Sequence, residues 1–198
     1  MTTPQDVVVV VLAAGLSRRY GEGDKLLHVL RGQPLCLHIA GTLSALPFRR
    51  QLAVCSNSQV AHLFAEKGFE VVHNIDPQAG LGSSLHAAMR VMDDATSVLV
   101  CLADMPFVSA AHLEALVKAF NPEETTAVAS SAAAYLGPPA IFSAALLHSL
   151  PSTGESGARA LLRGATLVSA SPAELTDFDT RAAFEADGDN GAAYDLRA

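Results

Sequence analysis

Two kinds of apolar run alternate along this chain. Residues 7–12 and 97–102 are continuous apolar stretches of strand length, the first of them five consecutive valines before Leu12. Such runs are expected where a strand is buried on both faces of a parallel sheet. Shorter runs at 52–55, 69–73, 125–130 and 166–169 predict further strands. Between them the apolar positions recur with helical spacing. Pro34 suits the first turn of a helix through about Leu46, with Leu35, Leu37, Ile39, Leu43 and Leu46 on its apolar side. Similar patterns predict helices over 58–67, ending at Gly68, over 83–92, and over 109–120, where Ser109 is the expected cap. Short helices are expected at 144–150, 155–162 and 180–186, and residues 132–142 read as a Gly/Pro-interrupted excursion followed by a strand.

Strands alternating with helices of 10–15 residues imply right-handed βαβ units, hence an α/β fold with a mainly parallel central sheet. No linker or repeat divides the chain, so residues 1–187 are expected to form a single domain, with 188–198 a polar tail. In such sheets ligands bind beyond the carboxyl ends of the strands, where the strand order reverses. The loops after residues 12 and 102, and the one opening the helix at 83, are expected to share that edge.

At 198 residues and 50% hydrophobic, the chain can bury a sizeable core. No apolar run reaches the roughly 20 residues that span a bilayer, and the first six residues carry no basic segment of a secretory signal. Cys36, Cys55 and Cys101 lack zinc or redox spacing and read as buried thiols of a reducing, cytoplasmic compartment. A net charge of −7 argues against nucleic-acid binding. Yet residues 1–50 hold six Lys/Arg against three Asp/Glu. A small polyanion would find its positive charge there.

That quarter contains Leu12-Ala13-Ala14-Gly15-Leu16-Ser17-Arg18-Arg19-Tyr20-Gly21-Glu22-Gly23-Asp24-Lys25. Small residues let the backbone approach a ligand, and backbone N–H groups with Arg and Lys suit a polyphosphate. Neither the G-x-x-x-x-G-K-[ST] spacing nor G-x-G-x-x-G is present. Three further segments carry candidate chemistry. Gly82, Ser83 and Ser84 stand at a helix start, as anion or base-edge contacts or as a plain loop and cap. Asp104 follows the strand at 97–102, placed either to hold Mg²⁺ through oxygen or to stand in solvent. Asp177 and Asp179, two apart in an extended segment, would share a face as a second metal contact, unless Asp179 is a cap.

The loop L-A-A-G-x-S-x-R-x-G followed by Lys25 resembles the nucleotidyltransferase signature of the MobA-like family. Ala13-Ala14-Gly15 is more similar to its molybdenum cofactor cytidylyltransferase branch than to the guanylyltransferase branch, which reads Leu-Ala-Gly-Gly. Leu102-Ala103-Asp104-Met105-Pro106 looks like the family's metal-binding loop, and Gly80-Leu81-Gly82-Ser83-Ser84 like its nucleotide-pocket segment. Four segments depart from the family pattern: Tyr20–Lys25 has one residue more between glycine and lysine, and Asp177-Phe178-Asp179-Thr180 continues Arg181-Ala182-Ala183 where relatives read Pro-Glu-Asp. Gly137-Pro138-Pro139-Ala140 stands where the branch has Gly-His-Pro, and Gly154-Glu155-Ser156-Gly157-Ala158-Arg159 replaces a lysine by Ser156.

The resemblance implies a three-layer Rossmann-like nucleotidyltransferase fold and transfer of CMP from CTP to a molybdopterin-type cofactor with release of pyrophosphate. Lys25, Arg19 and Asp104 would be catalytic. Leu12, Ala13, Ala14, Gly15, Ser17, Gly82, Ser83 and Ser84 would bind the nucleotide with Lys25. Asp104 and Asp179 would hold Mg²⁺ or Mn²⁺, and Gly137, Pro139, Gly157 and Arg159 would meet the second substrate. Implied partners are molybdenum hydroxylases and their chaperones, with no nucleic acid and no membrane. The alternatives are a guanylyltransferase or sugar-phosphate nucleotidyltransferase of the same group, or a non-catalytic carrier of the cofactor.

Overall fold

A computed structural model describes residues 2–92, 95–150 and 161–187. The central sheet has seven strands: β1 (Val7–Ala13), β4 (Arg50–Cys55), β5 (Glu70–His73), β6 (Ser97–Leu102), β7 (Ala127–Ala132), β8 (Tyr135–Ser143) and β9 (Thr166–Ser169). Their order is β5-β4-β1-β6-β8-β7-β9, and β8 alone runs against its neighbours. A small hairpin, β2 (Val29–Leu30) with β3 (Gln33–Pro34), stands apart. The helices are α1 (Leu35–Ser44), α2 (Ser58–Glu66), α3 (Leu81–Met89), α4 (Ala110–Ala119), α5 (Ala144–His148) and α6 (Arg181–Ala186).

All seven residues of β1 are buried, as its valine run demands. Because strand side chains alternate, Val7, Val9, Val11 and Ala13 pack on one face with Ile39, Leu43, Phe64, Leu116 and Phe184. Val8, Val10 and Leu12 pack on the other with Leu85, Met89 and Leu147. Three layers result, with α1, α2 and α4 on one side of the sheet and α3 and α5 on the other. Among the described residues no helix is long and apolar enough to cross a membrane.

Two expectations need correction. Residues 132–142 are not an excursion: β7 turns at Ala133, which has positive φ, and β8 runs unbroken to Ser143. Pro138 and Pro139 are tolerated inside this strand because they fall where the β7 register shifts, between the pairs Ser130–Gly137 and Ala129–Ala140. They also lie beyond the stretch paired with β6, so no ladder position there needs the N–H a proline lacks. The helix expected at 83–92 starts at Leu81, because Gly80, at φ 87°, closes the preceding loop two residues early. The helix expected over 155–162 and the tail 188–198 lie outside the described residues, Leu161 and Leu162 apart.

The chain leaves β1 for β4 and β5, then returns to β6 on the other side of β1. The carboxyl ends of β1 and β6 therefore flank a reversal of strand order, where ligand crevices form. Leu12 pairs with Leu102, and the Ala103 amide donates to the Leu12 carbonyl at 3.1 Å. The loops that follow the two strands thus start side by side.

Candidate active site

A cavity of about 440 Å³ opens at that reversal. Leu12, Ala13, Ala14, Gly15, Ser17, Arg18, Arg19 and Lys25 line it from the β1 side, and Leu102, Asp104 and Asp179 from the other. Pro77, Gln78, Gly80, Leu81 and Ser84 close its third wall. The size suits a nucleotide-sized ligand.

The loop after β1 is shaped by one acid. Asp24 Oδ1 accepts from Ser17 Oγ at 3.2 Å and from the Leu26 amide at 3.0 Å, while Oδ2 accepts from Asn57 Nδ2 at 2.9 Å. Asn57 is itself the cap of α2, its oxygen accepting from the Gln59 amide at 2.8 Å. The loop is thereby tied to a rigid helix. Ser17 at φ 48°, with Gly21 and Gly23 also at positive φ, turns the chain so that Lys25 points back to the cavity. On the outer side, α6 braces the loop: Arg181 Nη2 donates to the Glu22 carbonyl at 3.1 Å, and Phe184 packs edge-on against Tyr20.

Lys25 is only 8% exposed. Its Nζ donates to Asp104 Oδ2 and to Asp179 Oδ1, each at 2.5 Å. Burial pushes an ammonium's pKa down, but the charge and hydrogen bonds of Asp104 and Asp179 outweigh it, and the net shift is upward. Asp179 Oδ2 also meets Arg19 Nη2 at 2.5 Å, a guanidinium that stands in solvent. Asp179 reaches this place through backbone pairing, since the Phe178 amide donates to the Asp104 carbonyl at 3.0 Å. Phe178 itself is buried against Phe107 and Phe184. Its burial contributes about 1.5–3 kcal/mol toward holding the strap in place. Asp177, beside it, has a pKa raised by burial and by the charges of Asp179 and Asp104.

Oxygen donors for a hard cation are present. Asp104 Oδ1 is buried without a hydrogen-bond partner, and Asp104 with Asp179 could hold Mg²⁺ or Mn²⁺. Among the described residues no three acidic, His or Cys side chains converge as a metal cage. Mg²⁺ is commonly held by one or two carboxylates together with substrate phosphates, so a pair of carboxylates fits it.

The other anticipated contacts are distributed less evenly. Ser84 lines the cavity, but Gly82 and Ser83 do not. They fall in the first turn of α3, and Ser83 Oγ is engaged with the Asp76 and Gly80 carbonyls at 2.8 Å each. Gly137 and Pro139 lie in β8, away from the cavity lining. A Cβ on Gly137 would come within 2.7 Å of Tyr135 Oη, so glycine is what lets that ring lie across the strand. Tyr135 Oη donates to the Pro138 carbonyl at 2.5 Å, and its pKa is raised by burial and then by Asp177 and Asp104. The Pro139 carbonyl accepts from Ser130 Oγ at 2.5 Å, and Ser130 accepts in turn from His112 Nε2 at 2.7 Å. Gly157 and Arg159 lie outside the described residues. Asp24, Pro77 and Gln78 are contributors the sequence pattern did not single out. Asp24 stands directly before Lys25, which is a usable signal; Gln78 has none beyond its neighbouring Pro77.

Comparison with known proteins bears on this arrangement. The MobA-like NTP transferase domain matches residues 9–172. A bifunctional protein GlmU from Cupriavidus necator is 34% identical over 111 residues, covering 55% of this chain and 24% of that protein. A probable molybdenum cofactor guanylyltransferase from Pyrococcus horikoshii is 32% identical over 115 residues, covering 58% of this chain and 57% of that one. The chain therefore spans less than two thirds of the length of these curated relatives. In fold it is similar to Rv0371c from Mycobacterium tuberculosis H37Rv, with a TM-score of 0.77 at 24% identity, covering 94% of this chain and 98% of that chain. A manganese complex of that same protein aligns with a TM-score of 0.73, again at 24% identity, over 91% of this chain and 97% of that one.

Proposed function

We propose that this chain, which belongs to the MobA-like NTP transferase family, transfers CMP from CTP to the phosphate of a molybdopterin-type molybdenum cofactor. One observation carries the reading: a small-residue loop, three basic side chains and two carboxylates line a single cavity at the strand-order reversal. The choice of cytosine rests on the likeness of Ala13-Ala14-Gly15 to the cytidylyltransferase branch. The chain's similarity to the P. horikoshii relative, named for guanylyl transfer, supports a second reading with GTP.

In the proposed reaction a phosphate oxygen of the pterin substrate forms a bond to the α-phosphorus, and the α–β bridging bond breaks to release pyrophosphate. The attacking oxygen is already ionised near neutrality, so no general base is needed. The obstacle is bringing two anions together, a repulsion of about 1–4 kcal/mol at 4 Å between aqueous and surface-like dielectrics. Positioning and charge stabilisation carry the catalysis. The main-chain amides of 15–17 cradle the triphosphate. Lys25 and Arg19 neutralise it, and Arg18 stands at the same wall. Asp104, with Asp179, would hold the divalent ion, which when bound would stabilise charge on the phosphoryl oxygens.

The test is pyrophosphate release from each of the four NTPs, with Mg²⁺ or Mn²⁺ and the pterin substrate. CTP-dependent release is expected. Preferential consumption of GTP moves the chain to the guanylyl reading. Release only with a sugar phosphate as acceptor removes the pterin altogether.

A further inference from the structure

We infer that Lys25 occupies the position a divalent cation needs, so that the metal and the triphosphate enter this site by a linked exchange of partners rather than independently. The inference rests on the reading of Asp104 and Asp179 as metal ligands and extends it to a binding order.

Its basis is geometric. One nitrogen sits 2.5 Å from oxygens of two carboxylates that are 79 and 154 residues away in the chain. A metal coordinated by the same oxygens at about 2.0–2.1 Å needs the volume that Nζ fills. The ammonium does not saturate the pair, because Asp104 Oδ1 remains buried without a hydrogen-bond partner. The second oxygen of Asp179 is taken by Arg19, which is exposed and able to swing away. Lys25, almost wholly buried but lining the cavity, can shift only within it and cannot escape to solvent.

Consider each ligand alone. A metal ion that enters first must displace Lys25, leaving a buried ammonium with no counter-ion. A triphosphate that draws Lys25 and Arg19 toward itself leaves two adjacent carboxylates uncompensated. Each vacancy is costly, because breaking a buried ion pair strands the remaining charge. When both ligands arrive, the lysine passes from carboxylates to phosphates and the metal takes the carboxylates, so every charge keeps a partner. Arg18 lines the cavity and makes no ion pair among the described residues, which leaves it available to meet the incoming phosphates first. Thermodynamic linkage then requires the coupling to be reciprocal.

The experiment measures Mn²⁺ binding to the full chain by electron paramagnetic resonance, with and without inorganic triphosphate, against Mn²⁺–triphosphate solutions lacking protein. For the wild type, protein-bound Mn²⁺ affinity is expected to rise at least tenfold when triphosphate is present. In Lys25→Met, checked for folding by circular dichroism, Mn²⁺ alone is expected to bind at least tenfold more tightly than to the wild type. The triphosphate effect should largely vanish in that variant. Equal affinity for Mn²⁺ with and without triphosphate in the wild type overturns the exchange without touching the transferase reading, and needs no variant. No gain in Lys25→Met overturns it as well. Absence of any bound Mn²⁺ overturns both the exchange and the metal role of the two aspartates. Because inorganic triphosphate carries no base, a failure of CTP in the transfer assay leaves this result standing.

Discussion

The two sides of the sheet, divided between β6 and β8, hold their loops by different means. On the β5-β4-β1-β6 side every strand is parallel, and the loop facing the cavity is shaped by partly buried polar side chains. There Asp24 gathers Ser17, Leu26 and Asn57. On the β8-β7-β9 side one strand is reversed, and its irregular segment is secured from within the core, by His112 and Ser130 beneath the Pro139 carbonyl. A polar contact near solvent adds little to stability, whereas a buried one is costly to leave half-made. Binding and fold stability should therefore be separable on the first side and entangled on the second. At the seam stand Asp104 and Asp179, brought from opposite sides to one lysine.

The seam is where the largest effect is expected. Asp104→Ala removes the carboxylate with the free buried oxygen and one of the two partners of Lys25, while Asp179 still compensates the ammonium. Turnover in the transfer assay should fall at least about a hundredfold, some 2.7 kcal/mol of barrier, with the melting temperature little changed. Near-wild-type turnover would take Asp104 out of the chemistry. A collapse of the fold would instead show that the seam is entangled with the core, like the β8 side.

The same division governs what can be read from the sequence. β1 and β6 are legible because a strand buried on both faces has no reason to alternate, and a run of valines is its signature. β8 is not, because Gly137, Pro138 and Pro139 carry the local chemistry of a loop. Only the register shift against β7, a tertiary fact, makes room for them. Within the candidate site, Lys25, Arg19 and Asp104 stand out as charged residues at the ends of apolar runs. Asp179 is legible as part of an Asp-x-Asp pair, yet what delivers it is a long-range amide bond from Phe178 to Asp104. Asp24 carries one local signal, its place directly before Lys25, but its role depends on partners scattered over residues 17, 26 and 57. Gly82 and Ser83 fall outside the cavity lining for a related reason: the positive φ of Gly80 starts α3 early and commits the Ser83 hydroxyl to the loop.

A second substitution probes the core-anchored side. Ser130 is fully buried, and its hydroxyl joins His112 Nε2 to the Pro139 carbonyl. Ser130→Ala leaves a donor and an acceptor facing each other without the atom between them. Unfolding in urea should show a loss of about 1–3 kcal/mol, the cost of unsatisfied buried polar groups. Nucleotide affinity should be nearly unchanged, because Ser130, His112 and Pro139 do not line the cavity. A stable variant would mean that His112 and Pro139 find other partners, and that the contrast in anchoring is weaker than drawn.

The smallest effect should come from the link that defines the first side. Asn57 does two things at once: its oxygen caps α2, and its amide nitrogen holds Asp24. Asn57→Asp keeps a capping oxygen, and a negative charge suits a helix N-terminus, but it sets a second carboxylate against Asp24. Asn57→Ala loses the cap and the link together. If the loop is positioned through Asp24, the Asp variant should retain stability within about 0.5 kcal/mol. It should weaken nucleotide binding by roughly two- to tenfold, the scale of one hydrogen bond at about 0.5–1.5 kcal/mol. The Ala variant should show the same binding loss plus about 1 kcal/mol of destabilisation from the missing cap. Titration calorimetry with the nucleotide and thermal melts of both variants separate the two roles. Equal binding by the Asp variant and the wild type would show that Asp24 shapes the loop without help from α2, and that the β1 loop holds itself.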